Sequence, residues 1–162
     1  MTDFVTRERA AQGDYFANHL PAEFSGFRGS SYRLLPKHRA LNLAPGIRED
    51  APAYFAPHGI AWHLHANLGL SSQVSCLNFL MPLVTRPEPL ARLIGDALGL
   101  LPLALLEVES GPDGRPWFIA FEWIGCKNYL NKAIGLRPRT RGANATSADA
   151  MVRFKHEGRT ET

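Results

Sequence analysis

The stretch ALLEVESGPDGRPWFIAFEWIG, residues 104–125, places two apolar, aromatic-rich segments on either side of a turn-forming sequence. Gly, Pro and Asp cluster at residues 111–116, and these residue types favour turns because they tolerate or fix the backbone angles that turns require. The flanking segments are rich in Val, Ile, Phe and Trp, which is typical of strands. Residues 104–125 therefore predict a β-hairpin.

The chain before this hairpin predicts helices. In SSQVSCLNFLMPLV, residues 71–84, a serine can cap the first turn and apolar residues recur at helical spacing until Pro82. Residues 88–100 repeat the pattern, with a proline in the first turn and a glycine at the end. A polar helix is expected at residues 4–18.

Residues 20–60 carry prolines and glycines throughout, which excludes long regular elements. We expect an ordered but irregular segment there, with a short helix at residues 49–56. Its recurring aromatic residues argue against a linker.

The sequence after the hairpin alternates apolar and polar residues in DAMVRFKHE, residues 149–157, which predicts a further strand. Helices first and strands afterwards indicate an α/β or α+β fold, with N-terminal helices packed on a mixed β-sheet. We expect one domain over residues 1–162. It comprises a helical and irregular part at 1–70, a helix pair at 71–99 and a sheet part at 103–162.

The amino-acid composition limits the classes of protein to which this chain can belong. With 162 residues, of which 45% are hydrophobic, the chain can build a core and is not disordered. Two cysteines make no disulfide framework, and the charged N-terminus lacks an apolar signal core. The longest apolar run, residues 98–106, is too short to span a bilayer. We expect a reduced, cytoplasmic protein without a membrane partner.

Positive charge is concentrated in one stretch, although the net charge is only +3. Five cations and no acid occur between residues 127 and 141: Lys127, Lys132, Arg137, Arg139 and Arg141. Such a stretch can contact the phosphates of nucleic acid. The alternative is a solvated loop that happens to be basic.

Four acids are candidates for a metal site. Glu107, Glu109 and Glu122 lie on predicted strands, and Asp149 begins one. Carboxylates gathered at one end of a sheet suit a hard cation such as Mg²⁺, and the alternative is that these acids face solvent. A second metal pair, His63 and His65, lacks a third ligand at a convincing spacing.

Four segments, in their order, resemble a family of restriction endonucleases in the PD-(D/E)XK nuclease superfamily. They are AYFAPHGIAWH (53–63), LSSQVSCLNFL (70–80), AFEWIG (120–125) and RGANATSADA (141–150). The resemblance covers the chain from about Tyr54 onward. It implies a restriction-endonuclease-like core and Mg²⁺-dependent hydrolysis of DNA.

The resemblance also implies roles for individual residues. Asp149 would be the catalytic Mg²⁺ ligand, with Ala148 where the superfamily pattern has proline, and Glu122 would assist in catalysis. Gln73 and Asn78, on the Ser-Ser-Gln helix, are second-tier site candidates. The phosphate contacts would come from Lys132, Arg137, Arg139 and Arg141.

The sequence departs from the superfamily pattern after Asp149. An adjacent strand should carry Glu-x-Lys, whereas residues 157–159 read Glu-Gly-Arg. We therefore expect a chain cut short before this element, a sheet left incomplete, and little or no nuclease activity. Residues 149–157 would then form an open strand edge, which would either fray or pair with a second copy. The alternatives are a non-catalytic nucleic-acid-binding protein and a protein-interaction module.

Overall fold

The computed structural model describes residues 3–100, 102–125, 141 and 147–161. Within these residues there are four α-helices: α1 (Phe4–His19), α2 (Asp50–His58), α3 (Ser72–Leu80) and α4 (Pro87–Leu98). The strands are β1 (Ala104–Leu106), β2 (Glu109–Ser110), β3 (Pro116–Trp117), β4 (Ala120–Trp123), β5 (Ala148–Met151), β6 (Arg153–His156) and β7 (Arg159–Glu161). The predicted α+β class is confirmed.

The strands form three small sheets, ordered β1-β6-β7, β2-β3 and β4-β5. Every pairing among the described strands is antiparallel, where the sequence had predicted a mixed sheet. Parallel strands need a long crossover connection, whereas short turns return the chain antiparallel. The connections from β2 to β3 and from β6 to β7 are short turns, so these strands are antiparallel.

The chain divides into two compact units. The first is the described part of Met1–Arg48 together with Trp62–Asn78. Helix α1 begins where the Asp3 carboxylate accepts the Thr6 N–H at 3.1 Å, which satisfies a donor that the helix leaves open. Short 3-10 turns follow, as the prolines and glycines predicted. The side chains of Phe16, Leu34 and Leu43 are fully buried in this unit.

The second unit comprises Glu49–Ala61 and Phe79–Thr162. Helix α2 matches the helix predicted at 49–56, and α4 ends at Gly99 in the left-handed conformation, with φ 68°. Glycine adopts this angle without steric penalty. The most buried large side chains of this unit are those of Tyr54, Leu90, Ile119 and Phe121.

The predicted hairpin is confirmed at its turn, where Glu109 pairs with Trp117 and Ser110 with Pro116. A Cβ atom at Gly111 would lie 2.0 Å from Nε1 of Trp117, so only glycine fits there. Each predicted arm nevertheless splits into two short strands that belong to different sheets.

The prediction of one continuous strand at residues 149–157 is wrong. The chain leaves strand geometry at Val152, so that β5 pairs with β4 while β6 pairs with β1 and β7. This break shifts the alternation, and Met151 and Phe154 become the buried residues. Strand β6 has a neighbour on both sides, so the predicted open edge is also wrong for residues 153–156.

Candidate active site

Glu122 and Asp149 occupy opposing positions on the paired strands β4 and β5. The flanking pairs are Phe121 with Ala150 and Trp123 with Ala148. Opposing residues of an antiparallel pair are close neighbours, since their Cβ atoms lie about 5 Å apart in a regular ladder. The register of β4 and β5 therefore places opposite one another the two residues that the sequence predicted to be catalytic.

The Glu122 side chain is only 2% exposed and is oriented by the start of β5. The Ser147 hydroxyl donates a hydrogen bond to Oε2 of Glu122 at 2.8 Å. Glu122 also has a left-handed backbone, with φ 50°, which interrupts the regular direction of side chains along β4. A buried carboxylate without hydrogen bonds would be strongly destabilising, and Ser147 supplies one of them.

Asp149 is exposed on β5. The opposed pair thus offers one buried, oriented carboxylate and one that solvent reaches. Oxygen ligands of this kind suit Mg²⁺, which is commonly held by one or two carboxylates together with substrate phosphates. Within the described residues, no group of three or more His, Cys, Asp or Glu side chains is arranged to hold a metal ion.

A hydrogen-bond network centred on Tyr54 lies beside this pair in the same unit. The Tyr54 hydroxyl donates to Oε2 of Glu109 and accepts the Phe121 N–H at 3.1 Å. It also accepts Nη2 of Arg141 at 2.8 Å. One phenol from α2 therefore joins β2, β4 and Arg141.

Arg141 completes this network. Its Nη1 donates to Oε1 of Glu109 at 2.7 Å, which forms an ion pair whose side chains are 12% and 19% exposed. Its Nε donates to the carbonyl oxygens of Phe121 at 3.1 Å and Glu122 at 3.4 Å. These bonds fix the backbone that carries the Glu122 carboxylate. Because protein acceptors engage Arg141, its contact with phosphate stays a prediction.

Aromatic rings enclose Tyr54. The Trp117 ring stacks on it with centroids 4.6 Å apart, and the Phe121 ring meets it edge-on at 5.8 Å. Nδ1 of His58 donates to the Tyr54 carbonyl oxygen at 2.8 Å, and its Nε2 lies 3.4 Å from Oε2 of Glu109. Burial, followed by the hydrogen bond to Glu109, raises the pKa of Tyr54 above its usual value.

The second-tier candidates Gln73 and Asn78 hold backbone in the first unit. Oε1 of Gln73 accepts the His63 N–H at 2.9 Å. Asn78 accepts the Ala44 N–H at 2.8 Å and donates to the Asn42 carbonyl at 2.9 Å. Of the predicted phosphate contacts, Lys132, Arg137 and Arg139 lie outside the described residues.

Sequence reasoning missed the roles of Tyr54 and His58, and it proposed Glu109 as a candidate metal-site acid and not as a partner of Tyr54. Glu109 had been recognised as a strand acid, and Tyr54 lies in the first segment of the family resemblance. No spacing rule joins them, because the Tyr54–Glu109 hydrogen bond spans 55 residues.

The chain is an α+β protein with two opposed carboxylates on neighbouring strands, and its sequence identifies the family. Residues 9–161 match the model of the family described as "Restriction Endonuclease associating with ARP". Because the match spans most of the chain, the protein belongs to this restriction-endonuclease-like family. The searches of curated proteins and of solved structures gave no significant match.

In the part of the chain that the structure describes, no helix is both long enough and apolar enough to cross a membrane.

Proposed function

We propose that this protein is a Mg²⁺-dependent DNA endonuclease of the PD-(D/E)XK kind, which hydrolyses phosphodiester bonds. The observation that carries the proposal is the opposed pair Glu122 and Asp149 on β4 and β5, in a chain that belongs to a restriction-endonuclease-like family. DNA is the proposed substrate and the cytoplasm the proposed location.

The carboxylates have different parts in this proposal. Asp149, which solvent reaches, would bind the metal, and the buried Glu122 would assist from the neighbouring strand. A bound Mg²⁺ would activate water and neutralise the charge that develops on the phosphate. Ser147 orients the Glu122 carboxylate, and Arg141 holds the backbone on either side of the Phe121–Glu122 peptide.

The donor chemistry fits Mg²⁺, because the candidate ligand Asp149 supplies hard carboxylate oxygens. A single aspartate binds this ion weakly until substrate phosphates complete the coordination, since Mg²⁺ gives up its water reluctantly. No Glu-x-Lys triplet occurs in residues 150–162, so we expect little or no cleavage by residues 1–162. The sharper test is therefore the effect of metal on DNA binding.

The test is fluorescence anisotropy of a labelled DNA duplex, with Mg²⁺ and with EDTA. We expect Mg²⁺ to tighten binding several-fold, because the ion bridges Asp149 and the DNA phosphates. Asp149→Asn removes the charge but keeps the shape, and should abolish this gain. Asp96→Asn, at an exposed position of α4, is the matched control and should keep it.

A gain from Mg²⁺ that is unchanged in Asp149→Asn would contradict the proposal. Duplex binding that needs no metal in any variant and weakens steeply with salt would favour the non-catalytic nucleic-acid-binding alternative instead. Gel analysis of the same samples measures any cleavage directly.

A further inference from the structure

The first unit contains a pocket of about 330 Å³ that the proposed cleavage does not use. Its volume is at the lower end of the range for small-molecule sites. The lining includes Phe27, Arg28, Arg33, Arg39, Trp62 and His65. The pocket therefore combines aromatic rings with a set of basic side chains.

The electrostatics of this arginine pocket favour an anion. All its lining residues are described, and they include three arginines and two histidines but no Asp or Glu. None of the ion pairs found within the described residues involves Arg28, Arg33 or Arg39. Uncompensated arginines in a concave site raise the local concentration of anionic ligands.

One donor of a residue that lines the pocket lacks an acceptor. Nε of Arg33 is buried and has no hydrogen-bond partner within the described residues. Buried polar groups are paired in the great majority of cases, so an exception calls for an explanation. A phosphate oxygen is an acceptor that matches guanidinium geometry.

Trp62 contributes an aromatic ring to the pocket lining. Its side chain is half-buried, and Cζ of Arg39 lies 5.8 Å from its ring centroid. A second arginine–aromatic contact joins Arg28 to the Phe27 ring at 5.3 Å. Aromatic faces next to arginines are the arrangement on which unstacked bases are bound beside their phosphates.

The backbone beneath the pocket is fixed before any ligand binds. The Leu34 N–H donates to the Asn67 carbonyl at 2.9 Å, and Nδ2 of Asn67 donates to the Leu34 carbonyl at 2.7 Å. The Gly26 N–H donates to the Arg33 carbonyl at 2.9 Å. A rigid pocket loses little conformational entropy on binding.

We propose that the arginine pocket binds one nucleotide unit, with its phosphate at Arg33 and Arg39 and its base on Trp62. The ligand is an aromatic base that carries a phosphate, either as part of an unpaired DNA strand or as a free nucleotide. This inference goes beyond the proposed cleavage, because binding here requires neither metal nor the Glu122–Asp149 pair.

The test is the anisotropy of a short, labelled, single-stranded thymidine oligonucleotide with the full chain in EDTA. We expect Trp62→Ala to weaken binding by about fivefold or more, the low end for loss of a base–aromatic stack. Arg39→Gln should weaken oligonucleotide binding. It should also reduce the slope of log affinity against log salt concentration by about one, as expected for loss of one phosphate contact. Arg7→Gln is the control, because it changes an exposed arginine of α1 that pairs with Glu8. It should leave the affinity and its salt dependence unchanged.

Competition by free thymidine monophosphate distinguishes binding of a free nucleotide from binding of an unpaired DNA strand. Displacement of the oligonucleotide at similar concentrations assigns the pocket to free nucleotides, and failure to displace it assigns the pocket to a strand. Wild-type affinity in both Trp62→Ala and Arg39→Gln would overturn the proposal. Circular dichroism checks folding, and if Trp62→Ala does not fold, Arg39→Gln at an exposed position decides the matter. Because EDTA excludes cleavage, absence of nucleotide binding in this assay leaves the nuclease proposal intact. In the same way, failure of the Mg²⁺ test leaves the proposal for the arginine pocket intact.

Discussion

At the residue scale, the Tyr54 hydroxyl uses its full hydrogen-bonding capacity. It donates once, to Glu109, and accepts twice, from Phe121 and Arg141. The side chain is 0% exposed, so water cannot replace any of these partners. Removal of this single oxygen atom leaves two donors and one acceptor without their partner.

We expect Tyr54→Phe to lower the free energy of unfolding by about 1–3 kcal/mol, because buried donors would lose their acceptor while the ring packing is kept. Urea unfolding followed by circular dichroism measures this change. Tyr15→Phe is the matched control, since Tyr15 is 52% exposed, and it should change stability by less than about 0.5 kcal/mol. Equal effects of the two substitutions would refute the assigned role of Tyr54.

Sequence patterns could identify single residues of the candidate site but not the network around them. Asp149 and Glu122 follow from the family resemblance and from acids on predicted strands, which are local signals. Tyr54 looks like an ordinary core aromatic in the sequence. Its partners Glu109 and Phe121 are more than fifty residues away, and only the tertiary fold brings them together.

At the element scale, the β6–β7 hairpin depends on a two-residue turn. Glu157 and Gly158 both have positive φ, at 49° and 78°, and the turn is flanked by the pair His156 and Arg159. Two-residue turns with positive φ at both positions match the twist of the strands. Glycine at the second position adopts that conformation at the least cost.

We expect Gly158→Ala to destabilise the protein by about 1 kcal/mol, because a Cβ atom disfavours the left-handed region. Amide hydrogen exchange should show the largest loss of protection in β6 and β7. Gly46→Ala is the control, since Gly46 has neither positive φ nor a neighbour within 4 Å of an added Cβ. It should be neutral or slightly stabilising. The same loss in both variants would contradict this account of the turn.

The helices were predictable from sequence, whereas the pairing of the strands was not. The helices α3 and α4 carry local signals at both ends: Ser71 hydrogen-bonds the Val74 N–H, and Gly99 ends α4. The break at Val152 has no such signal, because alternation alone cannot show that β5 and β6 pair with different strands. Strand pairing is decided by partners distant in sequence, such as Phe154 and Leu105.

At the scale of the whole molecule, ionisation of Tyr54 links stability to pH. The pKa of Tyr54 is raised above its ordinary value near 10, so the folded protein holds the neutral phenol. The unfolded chain releases this proton at lower pH. The stability that Tyr54 contributes through this raised pKa is therefore fully present below about pH 10. It is lost as the pH rises from there toward the folded pKa.

We expect the free energy of unfolding to fall more steeply for wild type than for Tyr54→Phe between about pH 9 and about pH 11. Urea titrations of both proteins at several pH values measure the difference between the two slopes. Other tyrosines and the lysines titrate in both proteins and cancel in this comparison. Parallel slopes would show that Tyr54 ionises alike in the folded and unfolded chain.

At position 122, backbone stability and the need for a carboxylate favour different residues, because the Glu122 backbone is left-handed. An L-residue with a Cβ atom is held there at a cost of about 1–2 kcal/mol, and glycine or asparagine would relieve it. Neither of those residues supplies a carboxylate to meet Ser147 and lie opposite Asp149. A variant library screened for thermal tolerance alone should drift away from glutamate at this position. One screened for metal-dependent action on DNA should retain it, so the position would report which property a selection rewards.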